Sequence, residues 1–230
     1  MITGADWDLL LSDQPLREAR SAYTKETERA HLLTAELGTR ARGLTLPRGL
    51  VAGQHLQYFL QRMLAPSRDG DFDRLPIAYR ALATDFESGR LVVLDHGDLA
   101  TAIRASMSVP GAFAPVEVDG QVLVDGGLVR NIGVDVARDL GAERLIVVNV
   151  GTPLMKRAEI GSLVNSADQM LRILTGQNVE ASLATLSPQD VLIVPDLGAL
   201  GSTDFANGHR WIAAAESATR RSARELAAYS

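Results

Sequence analysis

Arg104–Asn131 reads RASMSVPGAFAPVEVDGQVLVDGGLVRN, and the reading of this stretch decides the fold. Asp119-Gly120 lies between Val116–Val118 and Gln121–Val124. An Asp-Gly pair between two short apolar runs is a strong signal for a two-residue β-hairpin turn. The second strand ends in Val122-Leu123-Val124 and meets Asp125-Gly126-Gly127 at once. That tripeptide has two readings. As turn chemistry, Asp-Gly and Gly-Gly are common turn dipeptides and need no function. As site chemistry, a carboxylate at a strand end stands where α/β folds place ligands. Two glycines behind it let the backbone turn tightly and another segment come close. An aspartate so placed can accept the proton of a hydroxyl nucleophile.

Outward from this stretch, strands alternate with helices. Upstream, Ile77–Thr84 (IAYRALAT) and Leu91–Leu94 (LVVL) read as strands. Asp98 is suited to cap a helix with Leu99, Ile103 and Met107 on one face. That helix must stop before Pro110. Downstream, Asn131–Leu140 reads as a helix closed by Gly141. Arg144–Val150 (RLIVVNV) is a continuous apolar strand of the kind covered on both faces in a parallel sheet. Ile160, Leu163, Val164, Ala167, Met170, Leu171 and Leu174 fall on one stripe, which predicts a core-facing helix over Ile160–Leu174. Val191–Val194 is another buried strand, and Asp204 is placed to cap an Ala-rich helix running to about Leu226. The alternation predicts a layered α/β domain with a mainly parallel sheet.

The front of the chain is different. Residues 1–30 are polar and charged around an apolar cluster at Trp7, Leu9, Leu10 and Leu11. Residues 31–65 read as short helices broken at Gly38, Gly43, Pro47 and Gly49, and Pro66–Arg74 as a polar loop. The chain thus divides into a helical front segment over 1–74 and an α/β part over 75–230. The 230 residues are enough for a sizeable core, and 46% hydrophobic with 22% charged residues argues against disorder. A net charge of -5 without a dense basic run speaks against nucleic acid as a partner. Without Cys there are no disulfides, thiolate zinc sites or cysteine nucleophiles. No apolar run approaches the ~18 residues of a membrane span. The start, MITGADWDLL, has neither the basic nor the apolar part of a secretory signal.

Several chemistries fail on inspection. Neither G-x-G-x-x-G nor G-x-x-x-x-G-K-[ST] occurs. Asp69-Gly70-Asp71-Phe72-Asp73 opens like a calcium loop, but Arg74 and Arg80 stand where that loop needs Gly and Glu. His31, His55, His96 and His209 have no metal-type spacing, so no metal site is expected. A nucleophile elbow G-x-S-x-G is missing too: the one Gly pair at that spacing, Gly49 and Gly53, has Val51 at its centre.

One ordered series of segments remains. It runs from Leu75-Pro76-Ile77 into Ala83-Thr84-Asp85, then Ala102–Pro115 (AIRASMSVPGAFAP), Val124–Asn131 (VDGGLVRN) and Val147–Pro153 (VVNVGTP). In this order and spacing the chain resembles the patatin-like phospholipase family, its bacterial members in particular. Weaker likeness extends from Asp6-Trp7-Asp8 to Asp190–Leu197. The resemblance implies a three-layer α/β/α sandwich and hydrolysis of lipid acyl esters by a Ser–Asp dyad. It implies no required cofactor, and a lipid or acyl-ester substrate met in transient contact with a membrane surface. The family's Asp-Gly-Gly motif falls on Asp125, Gly126 and Gly127, which makes Asp125 the proton acceptor. A dyad lacks the His of a triad, which agrees with the absence of His near the motif.

The family's Gly-rich oxyanion loop and its G-x-S-x-G elbow lie upstream of the segment that begins here. The expectation is therefore a patatin-type sandwich incomplete at its N-terminus, through a late assigned start or a deletion, and inactive as it stands. Ser106 and Ser108 lack an elbow's flanking glycines and read as helix-end and loop residues. A parallel sheet without its first strands should show an unpaired edge and a bare apolar face, hence marginal stability. The alternatives are a non-catalytic binding or regulatory α/β domain and, beyond that, an unrelated ligand-binding domain. Some bacterial relatives continue into an outer-membrane barrel, and Tyr229-Ser230 would suit such a junction. The default compartment is a soluble, cytoplasmic one, with export left open because a leader would lie in the missing part.

Overall fold

The computed structural model describes residues 5–11, 38–40, 43–45, 53–64, 70–198 and 207–229. They form two compact units. The first holds the described residues up to 87 together with 93–125, and the second holds 88–92 and the described residues from 126 onward.

In the first unit, α1 (Trp7–Leu10) is capped by Asp6, whose carboxylate accepts the Leu9 N–H. The stretch read as broken helices contains a small antiparallel hairpin, β1 (Gly38–Arg40) with β2 (Gly43–Thr45). Helix α2 (Gln54–Met63) buries Leu56 and Leu60, spaced i, i+4, against Ala100 and Phe113, with Trp7 and Phe59 at the margin. Then come β3 (Gly70–Asp71), β4 (Ala81–Asp85), β5 (Leu91–Leu94) and β6 (His96–Gly97), with β6 antiparallel to β3. The polar stretch Pro66–Arg74 proves to be more than a separator. A turn of 3-10 helix at Phe72–Arg74 drives Phe72 to 1% exposure, packed with Ala81, Leu99 and Ala102. Complete burial of such a side chain stabilises by roughly 1.5–3 kcal/mol.

The strand expected from Ile77 begins only at Ala81, and Ile77 is 84% exposed. Pro76 has no N–H to give a ladder. The Tyr79 N–H turns back to the Phe72 carbonyl, so residues 75–80 fold over the helical turn. Helix α3 (Leu99–Ser106) follows the expected plan: Asp98 accepts the Thr101 N–H at 3.1 Å, and Met107 ends the helix ahead of Pro110. Strands β7 (Val116–Val118) and β8 (Gln121–Asp125) meet at Asp119-Gly120. Both turn residues are left-handed, with φ 49° and 79°, as a type I′ hairpin requires. The sheet order is β5-β4-β8-β7, with β8 antiparallel to both its neighbours.

In the second unit the helix expected over Asn131–Leu140 is split into α4 (Gly127–Arg130) and α5 (Val134–Asp139). The Asn131 N–H leaves the helical ladder to bond the Asn178 side chain, and Gly133 caps the next helix. Gly141 then closes α5 in a Schellman motif, its N–H on Arg138 and the Ala142 N–H on Ala137. Strand β9 (Ile146–Val148), helix α6 (Leu163–Leu183), strand β10 (Val191–Ile193), α7 (Gly208–Arg221) and α8 (Ala223–Leu226) complete the unit. Asp204 lies outside the described residues.

Strands β9 and β10 are parallel, with Val147 opposite Leu192 and Val148 opposite Ile193. Paired residues share a face of a sheet. On one face Val147 packs with Val134, Ala137 and Leu183; on the other Val191 and Ile193 pack with Ala218, Leu226 and Tyr229. Helices therefore cover both sides of the strand layer, which is the α/β/α arrangement of a patatin-type fold. The sheets are small and mixed, with β9 and β10 paired in parallel. On that second face Ile146 and Val148 stay 51% and 49% exposed.

The α6 stripe is a correction. Ser162 caps the helix, so Ile160 lies outside it, and Met170 and Leu174 face solvent. The buried positions come later, at Val179 and Ser182, where Leu183 reaches the core around Val147. Asp190 ties this core together. Its carboxylate accepts the Ser187 N–H and hydroxyl, the Leu145 N–H at 2.8 Å and an Arg138 N–H at 2.6 Å. Desolvation pushes the Asp190 pKa up, but these donors outweigh it and hold it at about 2.

Candidate functional site

The run Val122-Leu123-Val124 carries β8 through the interior, with Leu123 and Val124 fully buried, and delivers Asp125 half-buried at its end. The backbone of Asp125 is held from two directions. Its N–H donates to the Ser108 carbonyl at 2.9 Å, and its carbonyl accepts the Thr84 hydroxyl at 2.9 Å. Across the ladder it faces Ala83. Each such bond contributes about 1 kcal/mol, enough to hold one residue in register.

Gly126 and Gly127 are both buried. Gly126 has φ -65° and ψ -23°, an ordinary right-handed helical conformation, and caps α4. Asp125-Gly126-Gly127 is therefore a strand-to-helix junction and not a tight turn. Both glycines lie enclosed, Gly126 before α4 and Gly127 as its first residue. The Gly127 carbonyl accepts an Asn178 side-chain N–H at 2.8 Å, and the Asn131 N–H donates to the same side chain at 2.9 Å. The Asn178 side chain of α6 thus holds both ends of α4.

Ser106 ends α3 and Ser108 follows in the loop. Ser108 is fully buried, and its hydroxyl is committed: it donates to the Arg104 carbonyl at 2.7 Å and accepts from Arg104 Nη1 at 2.5 Å. Neither the geometry nor the hydrogen bonding is that of a nucleophile. Arg104 and Thr84 are the residues that sequence reasoning passed over. Only the i, i+4 spacing of Arg104 and Ser108 hinted at a contact, and nothing local marked the arginine as buried.

Among the described residues no group of His, Asp and Glu is arranged to hold a metal ion. In the calcium-like stretch, Asp73 instead pairs with Arg80 at 2.8 Å, and the hydrogen bond from that guanidinium lowers its pKa. Hydrogen bonding to Asp95 raises the pKa of His96, on the exposed β6. Among the described residues no helix is long and apolar enough to cross a membrane.

The Patatin-like phospholipase family pattern matches residues 6–138, more than half of the chain, with Asp125 inside it. The chain belongs to the patatin-like phospholipase family. It is 41% identical over 78 residues to an NTE family protein of Mycobacterium tuberculosis, covering 34% of this chain and 22% of that protein. It is 37% identical over 87 residues to patatin-like phospholipase domain-containing protein 7 of Mus musculus, covering 37% of this chain and 6% of that protein. A putative patatin-like phospholipase domain-containing protein of Caenorhabditis elegans is 32% identical over 113 residues, 48% of this chain and 10% of its own length. This patatin-family chain therefore spans less than a quarter of each of these relatives. The family match takes in Asp119-Gly120 and Asp125-Gly126 and stops short of β9 and β10.

Proposed function

We propose that this chain supplies the proton-accepting half of a lipid acyl hydrolase site, with Asp125 as general base of a Ser–Asp dyad. The observation that carries the reading is the placement of Asp125. It ends a buried strand, its backbone is bonded on both sides to Ser108 and Thr84, and a buried glycine junction follows. A carboxylate on so fixed a backbone needs little reorganisation when a hydroxyl is presented to it. The serine oxygen attacks the ester carbonyl carbon, its proton passes through the Asp125 carboxylate to the departing alcohol, and water then attacks the acyl-serine, giving its proton through Asp125 back to the serine oxygen as the acid leaves. Backbone N–H groups of an oxyanion loop stabilise the charge on the carbonyl oxygen. The relatives' names point to phospholipid esters as the substrate class. The 230 residues hold no G-x-S-x-G, so the dyad's serine is not assigned to any of them.

The test is ester hydrolysis by two proteins. The purified 230-residue chain should not turn over p-nitrophenyl esters above background. The chain extended upstream to an in-frame G-x-S-x-G should do so, and Asp125→Asn should remove that activity. Turnover by the 230-residue chain that disappears in Ser106→Ala or Ser108→Ala would place the nucleophile inside it and overturn the reading.

A further inference from the structure

Arg104 is a cation in a place with 3% exposure, on a helix whose other buried residues are Leu99, Ala100, Ala102 and Ala105. A buried charge is costly unless it is fully bonded, so an arginine on this face needs a reason beyond packing. Its bonds supply one. The guanidinium donates to the Ser108 hydroxyl at 2.5 Å and to the Ala114 carbonyl at 3.3 Å, which cross-links the two ends of the segment between α3 and β7. The Ser108 hydroxyl in turn donates to the Arg104 carbonyl at 2.7 Å, so Ser108 is gripped by both ends of one residue.

The guanidinium itself has no room to shift. The Phe113 ring lies 4.9 Å from it. Gly53, the cap residue of α2, lies against it so closely that a Cβ there would come within 2.6 Å of Arg104 Nη2. Gly53 also has φ +76°, which disfavours any larger residue. The chain of contacts ends at the candidate base: the carbonyl of the gripped Ser108 is the acceptor for the Asp125 N–H.

We infer that Arg104 is a positioning residue, which acts through Ser108 to fix the backbone of Asp125. The inference rests on the reading of Asp125 as the base. It adds that the orientation of the carboxylate is set from α2 and α3, through a buried guanidinium that never touches substrate. An apolar side chain of equal length would fill the space. It would leave the Ser108 hydroxyl and the Ala114 carbonyl without their donor, and the loop carrying the Ser108 carbonyl would slacken.

Amide hydrogen exchange by NMR on the 230-residue chain tests this, with Ser108→Ala and Arg104→Met as variants. The reference is the Phe86 N–H, bonded to the Val122 carbonyl at 2.8 Å towards the other end of β8. Exchange at Asp125 should quicken by about tenfold or more relative to Phe86, because a local opening moves only the amides it frees. The Asp125 carboxyl carbon should shift while that of Asp119 stays. Equal acceleration of both amides, or unchanged exchange at Asp125, would overturn the inference, and Ser108→Ala alone decides if Arg104→Met does not fold. The base reading fails separately: hydrolysis that survives Asp125→Asn removes the base, whatever the exchange data show.

Discussion

Two Asp-Gly pairs sit at opposite ends of β8, and the same two letters do different work. Asp119-Gly120 is exposed, left-handed at both residues, and makes the hairpin. Asp125-Gly126 is half-buried and buried, Gly126 is right-handed, and the pair turns a strand into a helix. At the first pair the glycine answers a backbone need. At the second the glycine is buried and helical, and the aspartate is tied by Ser108 and Thr84. The difference teaches that a turn-forming dipeptide becomes a site candidate when its surroundings take over the backbone. Each prediction below presses on that contrast.

The largest effect should fall on chemistry. In the chain extended to a G-x-S-x-G, Asp125→Asn should lower kcat by roughly a thousandfold, within the range for loss of a general base. Asp119→Asn, Asp85→Asn and Asp135→Asn should stay close to the parent. Equal rates for the Asp125 and Asp119 variants would dissolve the contrast and leave Asp-Gly-Gly a structural junction.

A third aspartate calibrates the first two. Asp190 is structural, with a folded pKa of about 2. That lies below the ~3.9 of an unfolded chain, so its contribution is complete above that value and is lost as pH falls towards 2. Thermal melts between pH 5 and about pH 2 should show an acid-sensitive limb that shrinks in Asp190→Asn and persists in Asp119→Asn. A limb of the same size in both variants would remove Asp190 from the account.

Smaller effects separate the glycines. Gly127→Val places a side chain in a buried position and should cost roughly 1–3 kcal/mol in urea unfolding. Gly120→Ala meets open space, so it should cost only the left-handed strain of about 1 kcal/mol. A larger loss at Gly120 than at Gly127 would reverse the contrast between the exposed and the buried glycine. The smallest effect is at Thr84, where Thr84→Val removes the hydrogen bond to the Asp125 carbonyl for about 1 kcal/mol. No loss of stability there would show that the Thr84 hydroxyl contributes nothing to holding the Asp125 backbone.

Much of this was legible in the chain because the signals were short-range. Asp98 caps α3, Asp119-Gly120 turns the hairpin, and Leu91–Leu94 holds its strand as read, while the buried strand read over Val191–Val194 ends at Ile193 and leaves Leu192 exposed. Where the reading slipped, a distant partner outweighed the local pattern. Phe72 sits in a polar run and was hidden by it, yet Ala81 and Leu99 bury it. The apolar stripe through Met170 and Leu174 promised a core face, but the core around Val147 meets the helix further along, at Leu183. Nothing local marks Arg104 as buried, and Gly53, Ser108 and Phe113 surround it in the interior.

The order of segments by itself determined the family, the α/β class and the presence of Asp125 at a strand end, because strand, cap and hairpin signals act between near neighbours. Only the tertiary structure decided that Gly126 is helical, that the Ser108 hydroxyl is buried and bonded to Arg104, and that the Arg104 guanidinium lies in the interior. Those outcomes depend on burial and on hydrogen bonds between segments far apart in the chain, and burial of a charge is favourable only where every one of its partners is already in place.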